Sequence, residues 1–144
     1  MTNKRRFCQA ALPAKAQSTQ QRGAYAEEQA AQWLSAQGLN IVERNFHSRC
    51  GEIDIIARDG EHLVFLEVRL RKSSRFGGAA ATVDSRKQRK LILTAQYYLN
   101  TRHRGQHLPP CRFDVVTLTP HNTGLTINWY KAAFEQDDTN YNAY

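Results

Sequence analysis

Apolar residues recur along this chain with two different periods, and the switches between them lay out its elements. In residues 24–37, Ala26, Ala30, Trp33, Leu34 and Gln37 keep helical spacing, and Gly38 follows as a stop signal. Strand-like patterning takes over in residues 40–46 through Ile41, Val42 and Phe46. Two further strands, 52–57 and 62–69, flank Asp59-Gly60, a dipeptide that favours a two-residue hairpin turn. A loop with Gly and Ser spans 72–78. A second helix then carries the stripe Gln88, Leu91, Ile92, Ala95, Tyr98 and Leu99, with Asp84 or Ser85 available to cap it. After Pro109-Pro110, residues 111–118 and 125–130 read as strands and 131–136 as a short helix. Residues 1–21 sustain no period and are predicted to form a basic mobile arm; the polar stretch 137–144 is predicted to fray. The pattern predicts one α/β domain over 22–136, ordered helix, three strands, helix, strand, then a terminal extension.

The central hairpin has a chemical peculiarity. With Asp59 and Gly60 as the two turn residues, Glu52 faces Glu67 and Asp54 faces Phe65. Glu52, Asp54, Glu67 and Arg69 then share one face, and Ile53, Ile55, Val64, Leu66 and Val68 share the other. The apolar face explains itself as core. Like charges at neighbouring cross-strand positions repel, so the acidic face needs a counter-charge or a proton. A hard divalent cation supplies the first, since Mg²⁺ takes oxygen ligands and is often held by one or two carboxylates. A solvated sheet face balanced by Arg69, Arg71 and nearby lysines accounts for the same pattern.

Charge narrows the partners. Twenty Lys and Arg against thirteen Asp and Glu give a net charge of +7, which favours a polyanion such as nucleic acid. Arg71, Lys72, Arg75, Arg86, Arg89 and Lys90 gather around the loop and helix after the hairpin, where they suit phosphate contacts. Phe76 in that loop suits either base stacking or anchoring of the loop. Trp33, Tyr97 and Tyr98 are expected to pack rather than stack on bases. The three cysteines, Cys8, Cys50 and Cys111, are odd in number and far apart, which argues against a disulfide framework and a zinc knuckle. The histidines show no metal-ligand spacing. No apolar run approaches the ~20 residues of a membrane span, and Lys4-Arg5-Arg6 lacks the apolar stretch of a secretory signal, so the expected location is cytoplasmic, with no membrane partner.

Gly51-Glu52-Ile53-Asp54 followed by Phe65-Leu66-Glu67-Val68-Arg69 resembles the core motif of the YraN-like family of bacterial proteins. The resemblance runs from about residue 22 to 134. It takes in Arg22-Gly23, Glu27, Gly77-Gly78 with Ala79 and Ala80, Lys87, and Arg112-Phe113-Asp114-Val115-Val116. It implies a restriction-endonuclease-like fold, an α-β-β-β-α-β core with a mixed sheet flanked by helices, similar to Holliday-junction resolvases. It also implies a metal-dependent endonuclease acting on nucleic acid, with DNA, branched or structured DNA in particular, as the expected substrate and a homodimer as an expected partner state. Asp54, Glu67 and the backbone carbonyl of Val68 would then hold Mg²⁺ or Mn²⁺.

The same resemblance assigns further roles. Glu27 on the first helix would complete the site, as a catalytic residue. Lys87 would reach the scissile phosphate. Glu52 is not the superfamily's usual ligand; from its place on the acidic face it would support the ligands from behind, accept a hydrogen bond in the sheet or serve as an alternative ligand. Gln88, on the sheet-facing stripe, would support the ligands from behind. The superfamily motif has Lys where this chain has Arg69. Arg cannot serve as a general base, though it can place water or neutralise phosphate charge. The alternative reading is therefore a nucleic-acid-binding module of the same fold with weak or absent catalysis.

Overall fold

Both helices begin at side chains that satisfy backbone N–H groups their own turns leave unpaired. The computed structural model describes residues 2–7, 18–72 and 83–136. Helix α1 (Thr19–Ala36) starts at a capping box: the Ser18 hydroxyl accepts from the Gln21 N–H at 3.2 Å, and the Gln21 side chain accepts from the Ser18 N–H at 2.9 Å. This box, rather than the apolar stripe, sets the start, so α1 begins ahead of the expected residue 24. Gly38, at φ +100°, carries the chain out of the helix. Helix α2 (Ser85–Arg102) starts at Asp84, whose carboxylate accepts from the Lys87 N–H at 2.8 Å.

Six strands form one mixed sheet among the described residues. They are β1 (Thr2–Phe7), β2 (Asn40–Ser48), β3 (Gly51–Asp59), β4 (His62–Leu70), β5 (Cys111–His121) and β6 (Gly124–Phe134), in the spatial order β1-β6-β5-β4-β3-β2. Only β4 and β5 run parallel, joined through α2; the other neighbours are antiparallel. The expected α-β-β-β-α-β core is present. No helix among the described residues is long and apolar enough to cross a membrane.

Three expectations need correction. Part of the arm expected over 1–21 is a strand: Thr2–Phe7 pairs with Leu125–Tyr130 of β6. Backbone pairing at a sheet edge tolerates a charged sequence, so no apolar period announced it. The short helix expected at 131–136 is instead the end of β6. There the Ala132 N–H donates to Asp114, and the Phe134 ring stacks on Phe113 with centroids 5.0 Å apart. The β3–β4 turn is Gly60-Glu61, not Asp59-Gly60, because Asp59 pairs with His62. Gly60 takes φ +61° at the first loop position, where a type II′ turn calls for glycine. The correction moves each partner by two residues, which preserves the face of every side chain. Residues 73–82 and 137–144 lie outside the described part, and with them Arg75, Phe76, the Gly77-Gly78 pair and the expected frayed tail.

Helices cover both faces of the sheet. Trp33, Leu34 and the alanines of α1 pack on Ile55, Val64, Leu66, Val116, Leu118, Ile127 and Trp129. Leu91, Ala95 and Tyr98 of α2 pack on Phe46, Ile53, Ile56, Leu63, Phe65, Phe113 and Val115. Ile53 and Ile55 therefore part company, contrary to the shared face expected for them. Strict alternation breaks between them, opposite Asn45, whose φ of +54° turns β2 at the same level. The acidic side of the hairpin is accordingly no solvent face. It continues into Phe65, Leu63 and Ile56 beneath α2.

In the first half of β5, level with Leu66 of β4, lies a buried ionic knot. Asp114, 1% exposed, accepts from the Arg112 guanidinium at 2.8 and 2.9 Å, from the Trp129 indole at 2.9 Å and from the Ala132 N–H at 2.9 Å. Arg112 also reaches Asp59 at 2.8 Å, tying the β3–β4 turn to β5. Removing one partner of such a group strands the others without water. Asp114→Ala is expected to lower unfolding stability by about 3–5 kcal/mol in urea titrations. A loss below ~1 kcal/mol would show that the knot is dispensable.

Candidate functional site

The site arises where β3 and β4 separate. Their ladder runs from Asp59 opposite His62 to Ile55 opposite Leu66 and ends there. Past that point β3 stays with β2, through Phe46–Ile53 to Ser48–Gly51. Strand β4 stays with β5, through Glu67–Val115 to Leu70–Leu118. Asp54 bridges the gap with its side chain: Oδ2 accepts from the Val68 N–H at 2.7 Å. A carboxylate thus takes the place of a strand carbonyl for that buried donor.

Glu67 lies close enough to Asp54 for its charge to act on the Asp54 carboxyl. Each residue is only 8% exposed. Burial, followed by the charge of Glu67, pushes the Asp54 carboxyl up to about 8, against the pull of the Val68 N–H. Of the two oxygens of Glu67, Oε1 meets the Lys87 ammonium at 3.2 Å, while Oε2 is buried without a hydrogen-bond partner. A buried, unpaired carboxylate oxygen next to a second carboxyl is what a bound cation would satisfy, so these residues fit a divalent ion.

Glu27 approaches from α1. Burial raises its pKa, a hydrogen bond from the Asn45 side chain opposes the rise, and its charge contributes to the shift at Asp54. Glu27 does not close a ligand set, however. Among the described residues no three His, Cys, Asp or Glu side chains converge closely enough to hold a metal. Two side-chain carboxylates suffice for Mg²⁺, which keeps several waters.

The remaining expected residues divide clearly. Lys87 is brought to the carboxylates, whereas Gln88 spends its amide on the Val83 carbonyl at 2.7 Å, a contact within its own helix start. Glu52 is exposed at the rim and faces His47 at 3.4 Å. Arg69 and Arg71 are half-buried and engaged by neighbours. Lys72, Arg86, Arg89 and Lys90 are all exposed, with Lys72 following β4 and the others on the first turns of α2.

Two contributors escaped the sequence. Asn45 holds Glu27; its only signal is that Asn is enriched at positive φ. Gly51 lets α2 approach closely, since a Cβ there would sit 3.2 Å from the Thr94 hydroxyl. Thr94 itself is fully buried.

The Asp54 shift has a consequence for stability. The unfolded carboxyl loses its proton near pH 4, whereas the folded one keeps it to about 8. The folded state therefore holds the extra proton across this window, and stability falls as pH rises through it. It is fully present below pH ~4 and levels off above ~8. In EDTA, the melting temperature is expected to drop more steeply between pH 5 and 8 in the parent protein than in Asp54→Asn. Parallel profiles for the two proteins would contradict the assignment.

Residues 26–118, more than half the chain, match a family model described as uncharacterised protein family UPF0102. A UPF0102 protein of Alcanivorax borkumensis is 53% identical over 113 residues, covering 78% of this chain and 90% of its own length. One from Colwellia psychrerythraea is 46% identical over 121 residues, covering 84% and 94%. One from Enterobacter sp. is 49% identical over 121 residues, covering 83% and 88%. The matched span holds Glu27, Asn45, Gly51, Asp54, Glu67, Arg69 and Lys87, and the chain belongs to the UPF0102 family.

Proposed function

We propose that the protein is a divalent-metal-dependent endonuclease that hydrolyses phosphodiester bonds in nucleic acid, with structured or branched DNA as the substrate to try first. The observation that carries this reading is the buried pair Asp54 and Glu67, with Oε2 of Glu67 unpaired. Asp54, Glu67 and the Val68 carbonyl would hold Mg²⁺ or Mn²⁺. Such an ion would polarise a phosphoryl oxygen and lower the pKa of water. Glu27, held by Asn45, adds negative charge that favours cation capture. Arg69, in the same strand register two residues beyond Glu67, is suited to neutralising phosphate oxygens. Lys72, Arg86, Arg89 and Lys90, with Arg71 and Arg75, would bind the backbone on either side.

Arg69 also supports a second reading, a nucleic-acid-binding module with little catalysis. A guanidinium stays protonated and cannot accept a proton from water. The two readings separate in one assay, with branched, single-stranded and duplex DNA and RNA, in Mn²⁺ and in EDTA. The nuclease reading predicts metal-dependent cleavage that falls at least ~100-fold in Asp54→Ala and Glu67→Ala, the scale of a lost transition-state electrostatic contact. Salt-sensitive binding with no cleavage supports the module. If Arg69 limits the chemistry, Arg69→Lys gains activity; an unchanged rate would relieve Arg69 of that role. Independently of cleavage, Mn²⁺ is expected to raise the melting temperature at pH 8 in the parent protein and to leave that of Asp54→Asn unmoved. An equal rise in both would place the ion elsewhere.

A further inference from the structure

The cation seated on the carboxylate pair in the metal-free protein is a lysine. Lys87 Nζ stands 3.2 Å from Glu67 Oε1. The two partners differ in freedom: the Glu67 side chain is 10% exposed, and that of Lys87 is 40% exposed. Glu67 is fixed within a central strand, paired to β5 on one side and bounded by the Asp54 gap on the other. Lys87 reaches it on a flexible four-carbon stem from the first turn of α2. The backbone N–H of Lys87 is anchored by Asp84 at 2.8 Å, so the stem can swing without moving the helix.

We infer that Lys87 is a resident counter-ion for Glu67 that a divalent metal must displace, and that the released ammonium then serves the substrate phosphate. This rests on the metal site proposed above. Two features favour displacement over coexistence. First, an ammonium donating to Oε1 uses an oxygen that a metal bound to Glu67 competes for, and both cations draw on the same negative charge. Second, the bridge leaves Oε2 unsatisfied. A single lysine donor therefore satisfies only part of what the carboxylate pair needs, and a doubly charged ion satisfies more. Lys87 thereby has two positions with one function each. On Glu67 it offsets the repulsion between the carboxyls while the site waits. Off Glu67, it stands on the same helix turn as Arg86, Arg89 and Lys90, beside the cations placed to meet the nucleic-acid backbone.

The test is Mn²⁺ affinity, measured by calorimetry or by the paramagnetic resonance of free Mn²⁺, with no substrate present. Lys87→Met and Lys87→Gln are both expected to bind Mn²⁺ about tenfold more tightly than the parent, the effect of removing one screened competing charge. Lys90→Gln removes the same charge from the same helix without touching Glu67, and is expected to shift affinity less than about twofold. In the parent protein, Mn²⁺ should also raise the rate at which Lys87 is acetylated by an amine-reactive ester, read peptide by peptide by mass spectrometry, and Asp54→Asn should abolish that rise. If the parent binds Mn²⁺ and both Lys87 variants bind it equally or more weakly, the displacement idea is overturned while the metal site stands. If neither the parent nor the Lys87 variants bind Mn²⁺ at millimolar concentration, the metal site and the displacement fall together. Binding by the Lys87 variants alone would support displacement most strongly.

Discussion

Two carboxyls share a dry gap between strands that have stopped pairing, and the rest of the site is arranged around that fact. Asp54 and Glu67 are each 8% exposed, and the charge of Glu67 acts on Asp54. Water cannot screen them, so the structure compensates in other ways. A proton stays on Asp54 to about pH 8, the Val68 N–H donates to Asp54, and the Lys87 ammonium donates to Glu67. None of these reaches Oε2 of Glu67. Each could be relinquished to a divalent cation, and this is what the proposed metal site rests on.

The fold supplies this gap through ordinary packing. Strands β3 and β4 are zipped by apolar cross-strand pairs up to Ile55 and Leu66 and are buried on both faces by α1 and α2. Beyond that level they hold to different neighbours, β2 and β5. Asn45 at positive φ and the change of face between Ile53 and Ile55 mark the same level on β2 and β3. Meanwhile Gly51 admits α2 close to β3, which carries Lys87 within reach of Glu67. The Asp114 knot, level with Leu66 on β4, ties β5 to the β3–β4 turn and to β6 through Asp59, Arg112 and Trp129.

Much of the fold was legible because long amphipathic helices and buried strands have periods that differ clearly. The stripe from Leu91 to Leu99, the Asp84 cap and the Gly38 stop all act locally, and all appear in the structure. The edge strand Thr2–Phe7 and the end of β6 were not legible, since each depends on a partner distant in sequence rather than on its own pattern. The hairpin turn was placed one residue early. The acidic pair nevertheless survived, because a two-residue change of partner leaves each side chain on its own face. The resemblance put Lys87 at the scissile phosphate, and its ion pair with Glu67 was not expected. The loss of Gln88 to the Val83 carbonyl and the support of Glu27 by Asn45 are tertiary facts that no spacing encodes.

The central claim is that Asp54 and Glu67 grip one cation. The most direct measurement is anomalous scattering from crystals soaked in Mn²⁺ near pH 8. One peak is expected, within about 2.0–2.3 Å of a carboxylate oxygen from each residue and close to the Val68 carbonyl. A map with no peak there, and Lys87 still seated on Glu67, would contradict it.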